Sequence, residues 1–212
     1  MQNSPKLISV AIVDDHLLFA EGMKILIDNS EIATITHIYK DIQSCLNGLA
    51  TDGCPDVLLL DINLPDGTGI DFCAELKTLY PNLKVVMLTM QNEIIIVKRS
   101  LANGALGYLL KDSNSKEVIK CIEMVSIGET YICESIALKL NTVEGEEEIV
   151  RLSTREKQVL QLIAEGLSDK KIADKIFLSY HRVRELRQIL LQKFNVHTAV
   201  ELVEKAKKQK YI

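Results

Sequence analysis

Val57-Leu-Leu-Leu60, followed by Asp61-Ile-Asn-Leu-Pro65-Asp-Gly-Thr-Gly69, is an apolar run without alternation, then an acid, then a turn. An unbroken apolar run of this length fits a strand buried on both faces, as in a parallel sheet. Pro65, Gly67 and Gly69 mark the turn, and helical spacing predicts a helix over residues 67–79. The same unit recurs outward from this point. Ile8-Ser-Val-Ala-Ile-Val13 runs into Asp14-Asp15, Lys84-Val-Val-Met-Leu-Thr89 ends in a hydroxyl, and Gly107-Tyr-Leu-Leu110 runs into Lys111. Residues 33–39 read as a further strand, and residues 17–27, 41–49, 93–102 and 115–127 read as helices. Five strands alternating with five helices predict an α/β domain over residues 1–128, a doubly wound five-stranded parallel sheet covered on both faces.

Sites in such sheets lie at the carboxyl ends of the strands. That rule selects Asp14, Asp15, Asp61, Thr89 and Lys111, far apart in sequence but expected at one edge. Carboxylates on one rim repel each other unless a cation lies between them. Mg²⁺, which prefers hard oxygen ligands, fits Asp14, Asp15 and Asp61 with the backbone carbonyl of Asn63. Aspartate is a known phosphoryl acceptor. A Thr hydroxyl and a Lys ammonium are suited to the phosphoryl oxygens. An acid after a strand is ordinary turn chemistry and a single Lys is usually solvated; the pattern gains its weight from four strand ends together.

The remainder differs in kind. Residues 1–140 carry 11 Lys/Arg against 18 Asp/Glu, whereas residues 151–212 carry 14 against 7. An acidic front and a basic back predict two modules, the second with a polyanionic partner. Between them, residues 129–150 read as one helix over 131–140 and an exposed acidic linker containing Glu144-Gly-Glu-Glu-Glu148. Residues 151–212 read as a small all-α domain. Ser153-Thr-Arg-Glu156 and Thr198-Ala-Val-Glu201 have capping-box form, Ser168 opens a short helix, and Ser179 opens a longer one to about Phe194. On that longer helix Val183, Leu186, Leu190 and Phe194 make one apolar stripe, with His181, Arg184, Glu185, Gln188 and Gln192 roughly opposite. Such a face enters the major groove in a helix-turn-helix. Arg184 matches guanine, Gln188 adenine and Glu185 the amino group of cytosine. Arg182, Arg187, Lys170 and Lys171 suit phosphates. A solvated charged face is the bland alternative for this helix taken alone.

No apolar run reaches membrane-spanning length, and no secretory leader is read, so a cytoplasmic location without membrane attachment is expected. The five cysteines, an odd count without C-x-x-C spacing, are expected to be buried, reduced thiols.

With these residues in view, two resemblances follow. Asp14-Asp15, residues 59–69, Thr89 and Gly107-Tyr-Leu-Leu-Lys111-Asp112 resemble the receiver domain of bacterial two-component response regulators, which has a flavodoxin-like fold. The resemblance implies that Asp61 is the phosphoacceptor, that Asp14 and Asp15 bind Mg²⁺, and that Thr89 and Lys111 sense the phosphoryl group. It also makes Tyr108 the switching aromatic, and gives Asn63 and Gln91 the positions that tune phosphoryl lifetime. Leu152-Ser-Thr-Arg-Glu156, residues 159–168, Lys171-Ile-Ala173 and Val183-Arg184 resemble the NarL/LuxR-type DNA-binding domain. Its base-facing positions fall on Arg184, Glu185 and Gln188, while Arg182, Leu186 and Ile189 replace the family's usual Thr, His and Asn. The implied protein is not an enzyme but a DNA-binding regulator, phosphorylated by a sensor histidine kinase and dimeric when phosphorylated. Val200, Leu202, Val203 and Ala206 give the last helix an apolar side for a dimer contact or for packing within the domain. Two rivals stand beside this. A haloacid-dehalogenase-type phosphatase also uses a strand-end Asp and Mg²⁺, but usually carries a second Asp where this chain has Asn63. A signalling adaptor would use the basic tail to bind protein.

Overall fold

The computed structural model describes residues 7–142 and 150–212, so most of the expected acidic linker lies outside the described residues. The chain divides into two compact units, residues 1–146 and 147–212.

In the first unit the elements follow in order β1 (Ile8–Val13), α1 (Leu17–Asp28), β2 (Ala33–Tyr39), α2 (Ile42–Asp52) and β3 (Val57–Leu60). A small hairpin of β4 (Asn63–Leu64) and β5 (Gly67–Thr68) comes next, then α3 (Gly69–Leu79), β6 (Lys84–Thr89), α4 (Ile94–Ala102), β7 (Gly107–Leu110) and α5 (Ser115–Ser126). The main sheet has the order β2-β1-β3-β6-β7 with a further strand beyond β7, and every pairing in it is parallel. All four residues of β3 are fully buried, as an unbroken apolar run requires of a central strand covered on both faces. The strand order reverses between β1 and β3, so the carboxyl ends of these two strands flank the topological switch point.

Two features differ from expectation. The sheet has six strands, not five, because the stretch expected as one helix over residues 131–140 divides into β8 (Tyr131–Ile132) and α6 (Glu134–Thr142). Gly128, at φ +93°, ends α5 and turns the chain back. The open edge of β7 then captures the returning backbone: Tyr131 N–H donates to Leu106 O at 2.9 Å and Cys133 N–H to Tyr108 O at 3.0 Å. A two-residue strand leaves no periodicity to read. Second, α3 begins at Gly69, not Gly67, because residues 63–68 close the β4–β5 hairpin first. Gly69 is required there. A Cβ at this position would stand 1.9 Å from the backbone oxygen of Asp61. Within the hairpin turn, the Asp66 carboxylate accepts from Ile42 N–H and Gln43 N–H, both at 3.0 Å, fastening the turn to the start of α2.

The second unit comprises α7 (Thr154–Ala164), α8 (Asp169–Lys175), α9 (Tyr180–Lys193) and α10 (Ala199–Lys208). Both expected capping boxes are formed, Ser153 with Glu156 and Thr198 with Glu201. Val183, Leu186, Leu190 and Phe194 are buried in one core with Val159, Leu160, Ile172, Leu202 and Ala206. Glu156, 6% exposed, does more than cap: its Oε1 lies 2.7 Å from Lys193 Nζ, tying the start of α7 to the end of α9. Burial pushes the Glu156 carboxyl up, but the Lys193 ammonium and the Ser153 hydrogen bonds outweigh it and hold the group below its ordinary value. Between α8 and α9 the chain turns at Phe177, whose φ of +56° lies in the left-handed region.

Candidate functional site

Parallel register brings the ends of β1, β3, β6 and β7 to one edge, and Asp14, Asp15, Asp61, Thr89 and Lys111 stand there. Asp61 is 3% exposed and Asp14 is 1% exposed. The Asp61 side chain is fixed from both sides. Its Oδ1 accepts from Ile62 N–H at 2.7 Å, and its Oδ2 accepts from Lys111 Nζ at 2.9 Å. Lys111 Nζ also lies 2.7 Å from Asp14 Oδ2. Burial pushes the Lys111 ammonium toward neutrality, but its bonds to Asp14 and Asp61 more than offset this and raise its pKa, so it stays charged. Thr89 is fully buried, and its Oγ1 accepts from Gln91 N–H at 3.3 Å. Tyr108 is turned inward. It is fully buried, with its hydroxyl donating to Gln91 O at 2.9 Å, and burial raises its phenol pKa so that it stays a donor. Asn63 opens β4 two residues beyond Asp61, opposite Thr68.

One member of the edge left no mark in the sequence pattern. Phe19, on the first turn of α1, presents its ring 4.9 Å from Lys111 Nζ. A cation over an aromatic face is attracted to it, so the ring holds the ammonium over the two carboxylates. A Phe on an amphipathic helix reads as core, and no spacing rule separates the two roles.

The basic candidates lie on the second unit. Arg182, Arg184, Glu185 and Gln188 are exposed along α9, Lys170 and Lys171 are exposed on α8, and Ile189 is half-buried. The Arg184 guanidinium stands 6.0 Å from the Tyr180 ring centroid. Arg182 and Glu185, read separately as a phosphate contact and a base contact, bond to each other at 2.9 Å. Arg187 departs further from its expected phosphate role. It is half-buried, and its Nε donates to Asp169 Oδ1 of α8 at 2.7 Å, so it joins α8 to α9. The partner lies 18 residues away on another helix, which a face-by-face reading of one helix does not see.

Fold and edge together define a class: a receiver-type α/β unit followed by a helix-turn-helix unit. Comparison with known proteins agrees. The response regulator receiver domain model matches residues 10–123, and that of the bacterial regulatory proteins of the luxR family matches residues 150–206. The chain is 34% identical over 203 residues to the virulence-factor transcription regulator BvgA of Bordetella pertussis, covering 94% of this chain and 96% of that one. It is also similar to RcsB of Salmonella enterica serovar Typhimurium, solved bound to a promoter in the presence of a phosphomimetic. That match has 25% identity and a TM-score of 0.64, covering 94% of this chain and 98% of the other. A structure of two RcsB dimers bound to two parallel DNAs matches at 25% identity and a TM-score of 0.63, over 95% and 98% of the two chains. The chain belongs to the response regulators that join a receiver domain to a luxR-family DNA-binding domain. Among the described residues no helix is long and apolar enough to cross a membrane.

Proposed function

We propose that Asp61 accepts a phosphoryl group from a sensor histidine kinase in a Mg²⁺-dependent step, and that this switches dimerisation and promoter binding through α9. One observation carries the reading: a buried carboxylate whose two oxygens are held separately, one by a backbone N–H and one by a buried ammonium. Held in this way, Asp61 keeps one rotamer with its Oδ2 on the charged side of the edge. That is the pre-orientation a carboxylate nucleophile needs. Lys111 stays charged and sits where a transferred phosphoryl group would need a counter-charge. The buried Thr89 hydroxyl supplies a neutral donor from the neighbouring strand.

The donor set fits a hard divalent cation. Asp14, Asp15 and Asp61 offer carboxylate oxygens within 4.8 Å of one another, and the buried Asp14 and Asp61 carboxylates share the single Lys111 ammonium, at 2.7 and 2.9 Å. Asp14, Asp15 and Asp61, with the backbone carbonyl of Asn63, are the residues that would hold Mg²⁺. When bound, the ion neutralises charge between the carboxylates and the incoming phosphoryl oxygens.

The route to the second unit starts from Tyr108 and β8. Tyr108 bonds Gln91 O through its side chain, while its backbone carbonyl accepts from Cys133 N–H next to α6. A change at Thr89 or Gln91 is therefore felt by the segment leaving the receiver. For α9, the exposed cationic face and the luxR-family match favour double-stranded DNA over a protein partner for the tail. A homodimer on paired half-sites is the expected binding form.

Incubation with acetyl phosphate and Mg²⁺ tests the first step. Asp61→Asn should incorporate no phosphoryl group while its circular dichroism is unchanged. Labelling of that variant at the wild-type level would sink the assignment. Steady hydrolysis of small phosphoesters would instead favour the phosphatase reading.

A further inference from the structure

The arginines of α9 are held in different ways. Arg182 donates to Glu185 Oε2 at 2.9 Å, and His181 Nδ1 lies 3.4 Å from the other oxygen of that carboxylate. Arg187 donates to Asp169 of α8 at 2.7 Å. Arg184 pairs with no acid among the described residues. Its charge faces the ring of Tyr180 instead, one helical turn earlier, with the guanidinium carbon 6.0 Å from the ring centroid. Helical side chains lean toward the helix N-terminus, so Arg184 falls back over Tyr180. The two kinds of contact leave different things available. An ion pair occupies guanidinium N–H groups, whereas a ring takes only the face of the cation and leaves the donors at its edge free. Tyr180 is 52% exposed, and its hydroxyl makes no hydrogen bond among the described residues, so its polar end is not what places the ring. Tyr180, Arg184 and Gln188 follow one another at helical spacing and are all exposed, so they form one ridge on the outer face of α9. Tyr180 stands at its N-terminal end, and in a helix-turn-helix the N-terminal residues of this helix contact base edges.

We propose that Tyr180 is a positioning residue for base reading: its ring holds the Arg184 guanidinium in one plane, donors free, for a bidentate contact with a guanine edge. The inference rests on reading α9 as the DNA-recognition helix. An exposed arginine loses rotamer freedom when it docks, and that loss weakens binding. A ring that already restricts the side chain removes part of the loss before DNA arrives. The restriction also favours one base. A fixed plane presents parallel donors, and in the major groove only guanine offers two adjacent acceptors, O6 and N7, to meet them. Glu185, next to Arg184 in sequence, is engaged by Arg182 and His181, which keeps the adjacent acid off the reading arginine.

Selection of a random-sequence DNA duplex pool on the full-length chain, treated with acetyl phosphate and Mg²⁺, supplies both the probe and the base preferences. The enriched duplex, with each base pair substituted in turn, is then titrated with wild type, Arg184→Ala, Tyr180→Phe, Tyr180→Leu and the Tyr180→Leu, Arg184→Ala double variant. Leu is at least as good a helix former as Tyr and Ser179 still caps α9, so the helix is kept. Arg184→Ala should erase a guanine preference at one position of each half-site. Tyr180→Leu should weaken that same preference about three- to fivefold, the worth of an exposed cation–π contact, and leave the other positions as they were. Tyr180→Phe keeps the ring and should keep the preference within about twofold. On the Arg184→Ala background Tyr180→Leu should have no further effect. The proposal is overturned by an unchanged guanine preference in Tyr180→Leu, by an equal loss at every base position, or by an effect that persists without Arg184. A Tyr180→Phe loss as large as that of Tyr180→Leu overturns it too, because the hydroxyl would then be the contact. In each of those cases α9 still stands as the recognition helix. A pool that yields no enriched sequence, or a preference indifferent to Arg184→Ala, would overturn that reading of Arg184 and the role of Tyr180 with it.

Discussion

The receiver edge and the outer face of α9 both consist of charged side chains a few ångströms apart, yet they are different physical objects. At the edge, Asp14, Asp61 and Lys111 are at most 9% exposed on their side chains, and each comes from a different strand end. On α9, Arg182 and Glu185 are about half exposed, and both come from one helix turn. Opposite charges at close range interact far more strongly inside a protein than in water, where salt also screens them. The buried part of the edge is therefore a unit whose two carboxylates depend on one shared ammonium. The α9 face is a set of separable contributions whose worth appears only when a polyanion displaces the solvent.

The hardest test of this contrast is Lys111→Met. It leaves two buried carboxylates facing each other without a counter-charge, and should destabilise the first unit by on the order of 3 kcal/mol in urea unfolding. Adding Asp14→Asn should restore much of the loss, because the repulsion then has one partner fewer. A loss below about 1 kcal/mol would mean that the edge behaves as a solvated surface, and the comparison would collapse.

On α9 the matching change is Arg184→Ala. It should leave the unfolding midpoint unchanged while lowering specific promoter affinity about tenfold or more, with a smaller loss on nonspecific DNA. Equal losses on both DNAs would reduce Arg184 to a phosphate contact. Because the face is exposed, each contribution should also fade as salt rises.

Glu156 lies between the extremes. It caps α7 and pairs with Lys193, buried on its own side chain but bonded to a half-open ammonium. Glu156→Gln should lower the stability of the second unit by about 1–2 kcal/mol near neutral pH. Its carboxyl is held below the ordinary value of 4.5. A depressed acid contributes stability that is present above the ordinary pKa and is lost as pH falls through the lowered folded value. The gap between wild type and variant should therefore narrow below pH 4.5 and persist above it. A gap independent of pH would assign the effect to packing.

The same contrast governs what the sequence made legible. The four strands that build the edge stood out because each is a short apolar run abutting its functional residue, so pattern and chemistry coincide at Val13-Asp14, Leu60-Asp61, Thr89 and Leu110-Lys111. The apolar stripe of α9 was legible for a similar reason: Val183, Leu186, Leu190 and Phe194 obey one helical period and are all buried. What escaped is pairwise and non-local. The β8 strand exists because β7 has a free edge, Arg187 is taken by Asp169 of another helix, and Phe19 meets Lys111 across the fold. None of these has a one-dimensional signature; the Arg182–Glu185 pair, three residues apart on one helix, does have one, but reading the helix face for DNA contacts took the two side chains separately.

The finest test concerns the turn that sets α9 in place. Phe177 holds a φ of +56° with its ring 94% exposed, so the side chain gains little from packing while the backbone occupies a region disfavoured for any residue with a Cβ. The turn is nonetheless fixed, by Leu178 N–H donating to Ala173 O at 3.0 Å and by Ser179 capping α9. Phe177→Gly removes the steric penalty but gives the unfolded chain more freedom, and the two effects oppose each other. The penalty is the larger, so a net gain of about 0.5 kcal/mol in the second unit is expected, with the first unit unaffected. A net loss would show that the exposed ring stabilises the turn after all. If promoter binding fell while stability rose, the strained aromatic would belong to the DNA-facing surface and would extend the α9 face into the turn before it.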